Sequence, residues 1–284
     1  MGKIIACIDG SAHANSVCAL SVWAAERSGL PISLLHVVTP HSGVTARGEL
    51  SGTIGLGAKS SLLDELTKMD EEHGKLEQKK GQLILAHAKS ELAASGINQT
   101  EVLHRRGSLV DTLTELPGTE IIVMGKRGEH ENSAPDHLGS NLERVARAIK
   151  IPLLVAVKKT QPITRFLLAY DGSVSTNKAV EYAIKNPLLK GLECHMLKVG
   201  EQTAEAEAIL KQAADKLIAA GFSVRTTLQQ GKSVETLVKE YIAAQDIHLL
   251  VIGAYGHSKI RSLILGSTTT ALIRKSNVPV LLFR

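Results

Sequence analysis

Aromatic residues and cysteines are scarce in this sequence. Aromatic side chains make up 3% of the 284 residues, and there are three cysteines. Cys7, Cys18 and Cys194 show no Cys-x-x-Cys spacing, so they predict small buried side chains rather than a disulfide framework or a cysteine-ligated zinc site. No apolar run reaches the ~18 residues of a membrane span, and the first residues lack the long apolar segment of a signal peptide. We therefore expect a cytoplasmic protein with an aliphatic core and no membrane partner.

The charge balance is basic but dispersed. The formal net charge is +5 and the sequence pI is about 9.0. Basic pairs such as Lys79-Lys80 and Arg105-Arg106 lack the neighbouring aromatic side chains on which bases stack. This pattern does not favour a nucleic-acid partner, and it suits a site for an anionic small molecule.

One pattern occurs twice along the chain. The stretches "IIACIDGSAHANSVCALSVWAA" and "FLLAYDGSVSTNKAVEYAI" are both short apolar runs that end in Asp-Gly-Ser and lead into a helical pattern. Asp9 and His36 are 27 positions apart. Asp171 and Lys198 have the same separation of 27 positions. A repeat of this size predicts two copies of one domain.

Each half alternates short apolar runs with helical stretches. The runs lack apolar–polar alternation, which is typical of strands buried on both faces, so they predict an α/β fold: a parallel sheet with helices on both sides. We place the domains at 1–158 and 159–284, since a polar, proline-containing stretch separates the repeats. Ligands in such folds bind at the carboxyl ends of the strands. The residues at these ends are Asp171, Val199 and Gly253 in the second half, and Asp9, Val37 and Gly125 in the first.

The first half carries an insertion. Between its second and third strands it is about 38 residues longer than the second half. We assign the extra residues to a loop and a helix at about 41–95, with the helix running from about Ser61 to Ser95. Two interpretations stay open: the helix lies over its own domain, or it is offered to a second subunit. Residues spaced three and four apart form a seam along it: Leu62, Leu66, Met69, His73, Leu76, Lys80 and Leu83.

A glycine pattern follows the fourth apolar run of the second half. Gly253 and Gly256 bracket two residues, and nine more separate Gly256 from Gly266. Glycines without side chains let backbone amides approach a ligand closely. Ser267 and Thr268 then open a helix, whose N-terminal amides and partial positive charge suit phosphate. The spacing therefore indicates a loop that passes over a nucleotide and returns beneath its phosphates.

These motifs together resemble those of the universal stress protein family, over nearly the whole chain and in two tandem domains. The family's pattern of Gly, two residues, Gly, nine residues, Gly and Ser or Thr is matched without a gap. The resemblance implies a Rossmann-like, five-stranded parallel sheet in each domain and a regulatory role in stress response. It also implies an adenine nucleotide (ATP, ADP or AMP), with or without Mg²⁺. The implied contacts are adenine near Val199 and Ile252, ribose near Asp171, and phosphates on Gly256, Gly266, Ser267 and Thr268.

The corresponding motif of the first half is longer and acidic. Ten residues rather than nine separate Gly128 from Gly139, and three of them are carboxylates. Negative charge beside a phosphate lowers affinity, so we expect weak nucleotide binding or none at this second site. His130 and His137 could meet within the same loop, but nothing fixes their geometry, and we assign no metal site. The residues of the second site are Asp9, Val37, Gly125, Gly128, Gly139 and Ser140.

No catalytic residue can be assigned. His36 is expected to be a packed, hydrogen-bonded histidine rather than a base, because Lys198 occupies the equivalent position. The sequence shows a cradle for phosphates but no assignable acidic ligand for Mg²⁺ and no arginine finger. A nucleotide-binding regulatory protein is therefore preferred to two alternatives, a slow ATPase that uses the same site and an interaction module that binds no nucleotide.

The assembly follows from the last strand of each half. In the family that the chain resembles, this strand lies at the edge of the sheet, and an unpaired edge must be covered or matched. Pairing of Leu153–Val157 with Val280–Phe283 inside one chain would give a pseudo-dimer. We expect such a pseudo-dimeric monomer or a homodimer of these units.

Overall fold

The computed structural model describes residues 2–39, 56–129, 138–231, 233–254 and 265–284, with the backbone alone for 56–64. The elements of the first half are β1 (Lys3–Cys7), α1 (Ala14–Ser28), β2 (Ile32–Val38), α2 (Leu56–Ala94), β3 (Glu101–Arg106), α3 (Leu109–Glu115), β4 (Thr119–Gly125), α4 (Ser140–Ala148) and β5 (Leu153–Ala156). Those of the second half are β6 (Arg165–Ala169), α5 (Val174–Lys185), β7 (Glu193–Val199), α6 (Ala204–Ala219), β8 (Val224–Gln229), α7 (Val234–Ala244), β9 (Leu249–Gly253), α8 (Ser267–Lys275) and β10 (Val280–Phe283).

The strands form one ten-stranded sheet in the order β3-β2-β1-β4-β5-β10-β9-β6-β7-β8. Within each half the neighbouring strands are parallel, which confirms the predicted α/β fold. The two halves meet where β5 and β10 run antiparallel, with Val155 opposite Val280 and Leu153 opposite Leu282. The predicted pairing of the two last strands within one chain is thus confirmed, although β5 ends at Ala156 rather than Val157.

Both faces of the sheet are covered by aliphatic side chains, as the low aromatic content predicts. Helices α1, α2, α5 and α6 pack on one face, and α3, α4, α7 and α8 pack on the other. The three cysteines are free, and burial raises the pKa of Cys7 to about 12 and that of Cys18 to about 11. Cys18 and Cys194 are buried as predicted, whereas Cys7 is half-buried. No helix in the described part of the chain is long and apolar enough to cross a membrane.

Helix α2 differs from the expectation in two respects. It begins at Leu56, before the predicted Ser61, and its 39 residues end at Ala94. Its second half does lie over its own domain, but the buried side chains there are Leu85, Ala88 and Leu92, none of which belongs to the predicted seam. Of the described apolar seam residues, Met69, Leu76 and Leu83 are instead 63%, 64% and 65% exposed, and Leu66 is half-buried.

Candidate functional site

The carboxyl ends of three neighbouring strands meet in the second half. Strand β6 lies between β9 and β7, so the residue after β6 lies beside the last residues of both. The Tyr170 amide donates to the Leu197 carbonyl at 2.9 Å, and Lys198 Nζ donates to the Asp171 carbonyl at 3.2 Å. The predicted convergence of Asp171, Val199 and Gly253 at one end of the sheet follows from these strand positions.

The carboxylate of Asp171 is held in one orientation by the turn that follows it. Its Oδ1 atom accepts hydrogen bonds from the Ser173 amide and the Thr176 hydroxyl, both at 2.8 Å. Gly172 adopts φ 83°, a left-handed conformation that glycine tolerates best. These two hydrogen bonds fix the orientation of the Asp171 carboxylate at the end of β6.

Gly253 marks a close approach between β9 and the start of α5. A Cβ atom at this position would lie 2.3 Å from Ser175 Oγ and 2.9 Å from Ser175 Cβ. Only glycine fits, because contacts under 3.0 Å require a shift of the neighbouring atoms. The glycine at this point of the motif therefore has a packing role as well as the proposed role beside a ligand.

The N-terminus of α8 is tied to the end of β9. Thr269 Oγ1 lies 3.1 Å from the Gly253 carbonyl and 3.2 Å from the Ala254 carbonyl, so its hydroxyl hydrogen is shared between them. Gly266 is the N-cap residue, and Ser267 and Thr268 are exposed in the first turn. That turn contains no acidic residue. First-turn amides lack partners within the helix, and together with hydroxyls and the helix dipole they are groups that bind phosphate.

The remaining predicted residues of this site are Val199, Ile252 and Gly256. Val199 is half-buried at the end of β7. Ile252 is 2% exposed and belongs to the core under α7 and α8, so its side chain is a packing group. Gly256 lies outside the described residues, together with the rest of 255–264.

The equivalent site of the first half is built differently. Asp9 Oδ1 accepts a hydrogen bond from the Ser11 amide at 3.1 Å, but Ala14 stands where Thr176 supplies a hydroxyl in the second half. His13 replaces Ser175 and packs over Gly125, whose added Cβ would lie 2.8 Å from His13 Cβ. His13 is 3% exposed, and its Nδ1 atom has no hydrogen-bond partner in the described part of the chain. Burial and then the Lys158 charge lower the pKa of this imidazole, which favours its neutral form.

An ion pair lies close to this first-half site. Lys80 Nζ of α2 lies 2.5 Å from Glu129 Oε1, and a Cβ at Gly10 would lie 2.8 Å from the Glu129 carboxylate. The cavity left there has a volume of about 60 Å³, whereas small-molecule pockets typically measure about 300–1,000 Å³. Its lining includes the predicted residues Asp9, Val37, Gly125, Gly128 and Gly139.

The helix behind this cavity also differs from its counterpart. Ser140 begins α4, whose first turn carries Glu143, a carboxylate at the position where α8 has hydroxyls. A negative charge in the first turn opposes an incoming phosphate. His130 and His137 lie outside the described residues, and within the described ranges no group of three or more His, Cys, Asp or Glu side chains could hold a metal ion.

His36 is the packed, hydrogen-bonded residue that was predicted, since its Nδ1 donates to the Ile8 carbonyl at 2.7 Å.

Three residues at the two sites were not predicted from the sequence: Thr176, Thr269 and Lys80. Thr176 and Thr269 could have been noticed as hydroxyls close to the motif. Lys80 offered no such signal, because it is 49 positions from Glu129.

A larger cavity lies away from both sites. Its volume is about 920 Å³, and it lies between α7, α8 and the segment Lys159–Gln161. The lining residues Ile247 and Pro279 precede β9 and β10, so this groove is at the opposite end of those strands from Gly253. It contains none of the predicted site residues.

Comparison with known proteins agrees with this architecture. The universal stress protein family model matches residues 1–158 and 195–284. Universal stress protein Slr1230 of Synechocystis sp. is 39% identical over 288 residues, which cover 100% of both chains. Universal stress protein MJ0577 of Methanocaldococcus jannaschii is 28% identical over 127 residues, covering 44% of this chain and 68% of that protein. The crystal structure of a universal stress protein from Archaeoglobus fulgidus has a TM-score of 0.70 at 22% identity, with 99% of this chain and 98% of that chain covered. The chain therefore belongs to the universal stress protein family.

Proposed function

We propose that this chain is a regulatory protein of the stress response that binds one adenine nucleotide, ATP, ADP or AMP, in its second half. The observation that carries the proposal is the junction of Gly253 with the N-terminus of α8. There a close backbone approach, a helix start without acidic residues and the oriented Asp171 carboxylate lie at one end of the sheet. The ungapped glycine motif in the same segment supports it.

The assigned contacts follow from the chemistry of these groups. The amides of the first turn of α8, with the Ser267 and Thr268 hydroxyls, bind the phosphates. The Asp171 carboxylate accepts from a ribose hydroxyl, and adenine lies beside Val199 at the end of β7. The first half binds nucleotide weakly or not at all, because its motif carries the Glu129 carboxylate beside Gly128 and its cavity has a volume of only about 60 Å³.

Isothermal titration calorimetry on the full chain tests this proposal with two matched glycine variants. Gly256→Val and Gly128→Val introduce the same side chain at equivalent positions of the two motifs. We expect the wild type to bind one equivalent of ATP, Gly256→Val to bind none, and Gly128→Val to bind as the wild type does. ATP binding that survives Gly256→Val and is lost in Gly128→Val would place the nucleotide in the first half and overturn the assignment.

Phosphate release distinguishes this function from a slow ATPase at the same site. The residues assigned here bind and orient the nucleotide, and none of them is assigned as a general base. We expect turnover well below the common enzyme range of about 1–1,000 per second. Release within that range, lost in Asp171→Ala, would make the protein an enzyme.

A further inference from the structure

An exposed apolar row runs along helix α2. Met69, Leu76 and Leu83 follow one another at intervals of seven residues and are each more than 60% exposed. Side chains seven apart lie on one stripe of a helix, and here the stripe faces away from the buried Leu85 and Leu92. This apolar row is therefore not part of the packing of the domain.

The part of α2 that carries the start of the row is exposed along most of its length. The helix is 39 residues long, which corresponds to about 58 Å at about 1.5 Å per residue. From Glu65 to His73 the side chains are exposed, apart from half-buried Leu66. Helical stability in proteins comes mainly from the packing of an apolar face, so an exposed row on such a segment is suited to a partner.

We propose that the apolar row of α2 binds the same row of a second copy of this chain, with the two helices antiparallel and Leu76 at the two-fold axis. In this register Met69 of each copy packs against Leu83 of the other, since both lie seven residues from Leu76. His73 occupies an alternate position of the stripe, and such a polar position fixes the register of paired helices at some cost in stability. Lys80 is held on the domain side of the helix by its ion pair with Glu129.

The charges beside the row select this occupant and this direction. Glu72 and Lys79 are seven residues apart on the same flank of the row, and both are exposed. Antiparallel pairing about Leu76 brings Glu72 of each copy beside Lys79 of the other and forms two opposite-charge pairs. Parallel pairing would instead bring Glu72 toward Glu77 of the other copy, a like-charge contact. Glu77 of the two copies also lie near each other at the axis, so antiparallel pairing combines two opposite-charge pairs with one like-charge contact. Parallel pairing forms no opposite-charge pair from these residues, so the charges favour the antiparallel direction.

The rest of the fold is consistent with a closed dimer. The pairing of β5 with β10 already joins the two last strands within one chain, so these strands are not available to a second copy. Only the first half carries the α2 insertion, so each chain contributes one such helix. A two-fold interface of one helix per copy closes after two chains and leaves no second row for a third. Three apolar side chains from each copy make a small interface, so we expect association that depends on protein concentration.

Sedimentation equilibrium of the full chain over a range of concentrations tests whether the apolar row mediates dimerisation. We expect the wild type to pass from monomer to dimer, and Leu76→Glu to stay monomeric because it places two carboxylates at the axis. Gln78→Glu adds the same charge two residues away, off the row at an exposed position, and should dimerise as the wild type does. A wild type that is monomeric throughout, or a dimer that survives Leu76→Glu, overturns the proposal.

A charge swap tests the direction of pairing. Glu72→Lys should raise the dissociation constant about tenfold, because two opposite-charge pairs become two like-charge pairs. Glu71→Lys changes the same charge on the neighbouring exposed residue, outside the flank, and should leave the constant within about twofold. The double variant Glu72→Lys/Lys79→Glu restores the pairs and should return the constant to its wild-type value. A double variant as weak as Glu72→Lys alone would rule out the antiparallel arrangement. Circular dichroism spectra that match the wild type exclude unfolding, since all these side chains are exposed.

Discussion

Lys80 Nζ lies 2.5 Å from Glu129 Oε1, so the helix of the insertion is joined to the loop after β4. The two side chains are 39% and 30% exposed, and an ion pair that remains this open to water stabilises a protein by about 1 kcal/mol at most. Its larger effect is positional, since it keeps a carboxylate against Gly10, the residue after Asp9 of the first-half site. The insertion thereby contributes to the difference between two sites that share one pattern of residues.

Replacing Glu129 should therefore open the first-half site. His257 occupies the equivalent position in the second half, and Glu129→His removes the negative charge without shortening the side chain to alanine. In a Gly256→Val background, which lacks second-half binding, we expect Glu129→His to restore measurable binding of ATP by calorimetry. Lys80→Ala in the same background should restore none, because it leaves the Glu129 charge in place without its partner. Equal binding in both variants would show that the carboxylate is not what excludes the nucleotide.

Two glycines of α2 should respond in opposite directions to alanine. A Cβ at Gly81 would lie 2.5 Å from His104 Nε2 and 2.6 Å from His36 Cδ2, whereas a Cβ at Gly74 meets nothing within 4 Å. Alanine favours a helix over glycine by about 1 kcal/mol when there is space for it. We expect Gly74→Ala to raise the free energy of unfolding by up to about 1 kcal/mol, and Gly81→Ala to lower it by about 1–3 kcal/mol. Urea unfolding measures both, and a stabilising Gly81→Ala would contradict the close seating of α2 on β2 and β3.

Alanine substitutions at two glycines of the second-half motif should also differ in their effect on stability. Gly253→Ala brings a Cβ within 2.3 Å of Ser175 Oγ, while the nearest atom to a Cβ at Gly266 is Thr269 Oγ1 at an ordinary 3.5 Å. We expect Gly253→Ala to lower the free energy of unfolding by about 1–3 kcal/mol and Gly266→Ala to change it by less than about 0.5 kcal/mol. Thermal unfolding followed by circular dichroism compares the two variants directly. A neutral Gly253→Ala would mean that α5 can move away from β9 without loss.

The features that were predictable from the sequence are those that depend on residues close together in the chain or on a strand edge that must be paired. Buried strands, the repeat and the pairing of β5 with β10 follow from apolar runs and from edges that must be matched. The packed face of α2 was not predictable, because a period of three and four fits the row at Leu76 and the buried stripe at Leu85 equally well. Which stripe is buried depends on the rings of His36 and His104 beneath Gly81, contacts between residues far apart in the chain. The same holds for Lys80 and Glu129, whose meeting requires the whole domain to be folded.

Lys126 links the two halves and should make stability depend on pH. Its ammonium donates to the Ser276 carbonyl at 2.9 Å, and burial and then the Arg127 charge lower its pKa to about 8. In the unfolded chain a lysine has a pKa of about 10.4. Below pH 8 the charged form is present in both states, and the folded state bears the cost of its partial burial. As the pH rises above 8 the folded state loses this proton while the unfolded state keeps it, so the group's contribution to the free energy of unfolding increases.

Comparison with Lys126→Met isolates this contribution. We expect the free energy of unfolding of the wild type to rise relative to that of Lys126→Met by about 1 kcal/mol between pH 7.5 and pH 9.5, after a discount for the solvent exposure of the group. Urea unfolding at the two pH values gives the difference. Lys150→Met removes an exposed lysine from the same half and serves as the control for the loss of a charge. A difference between wild type and Lys126→Met that stays constant, or that falls as the pH rises, would mean that the Lys126 ammonium is not desolvated by its place between the two halves.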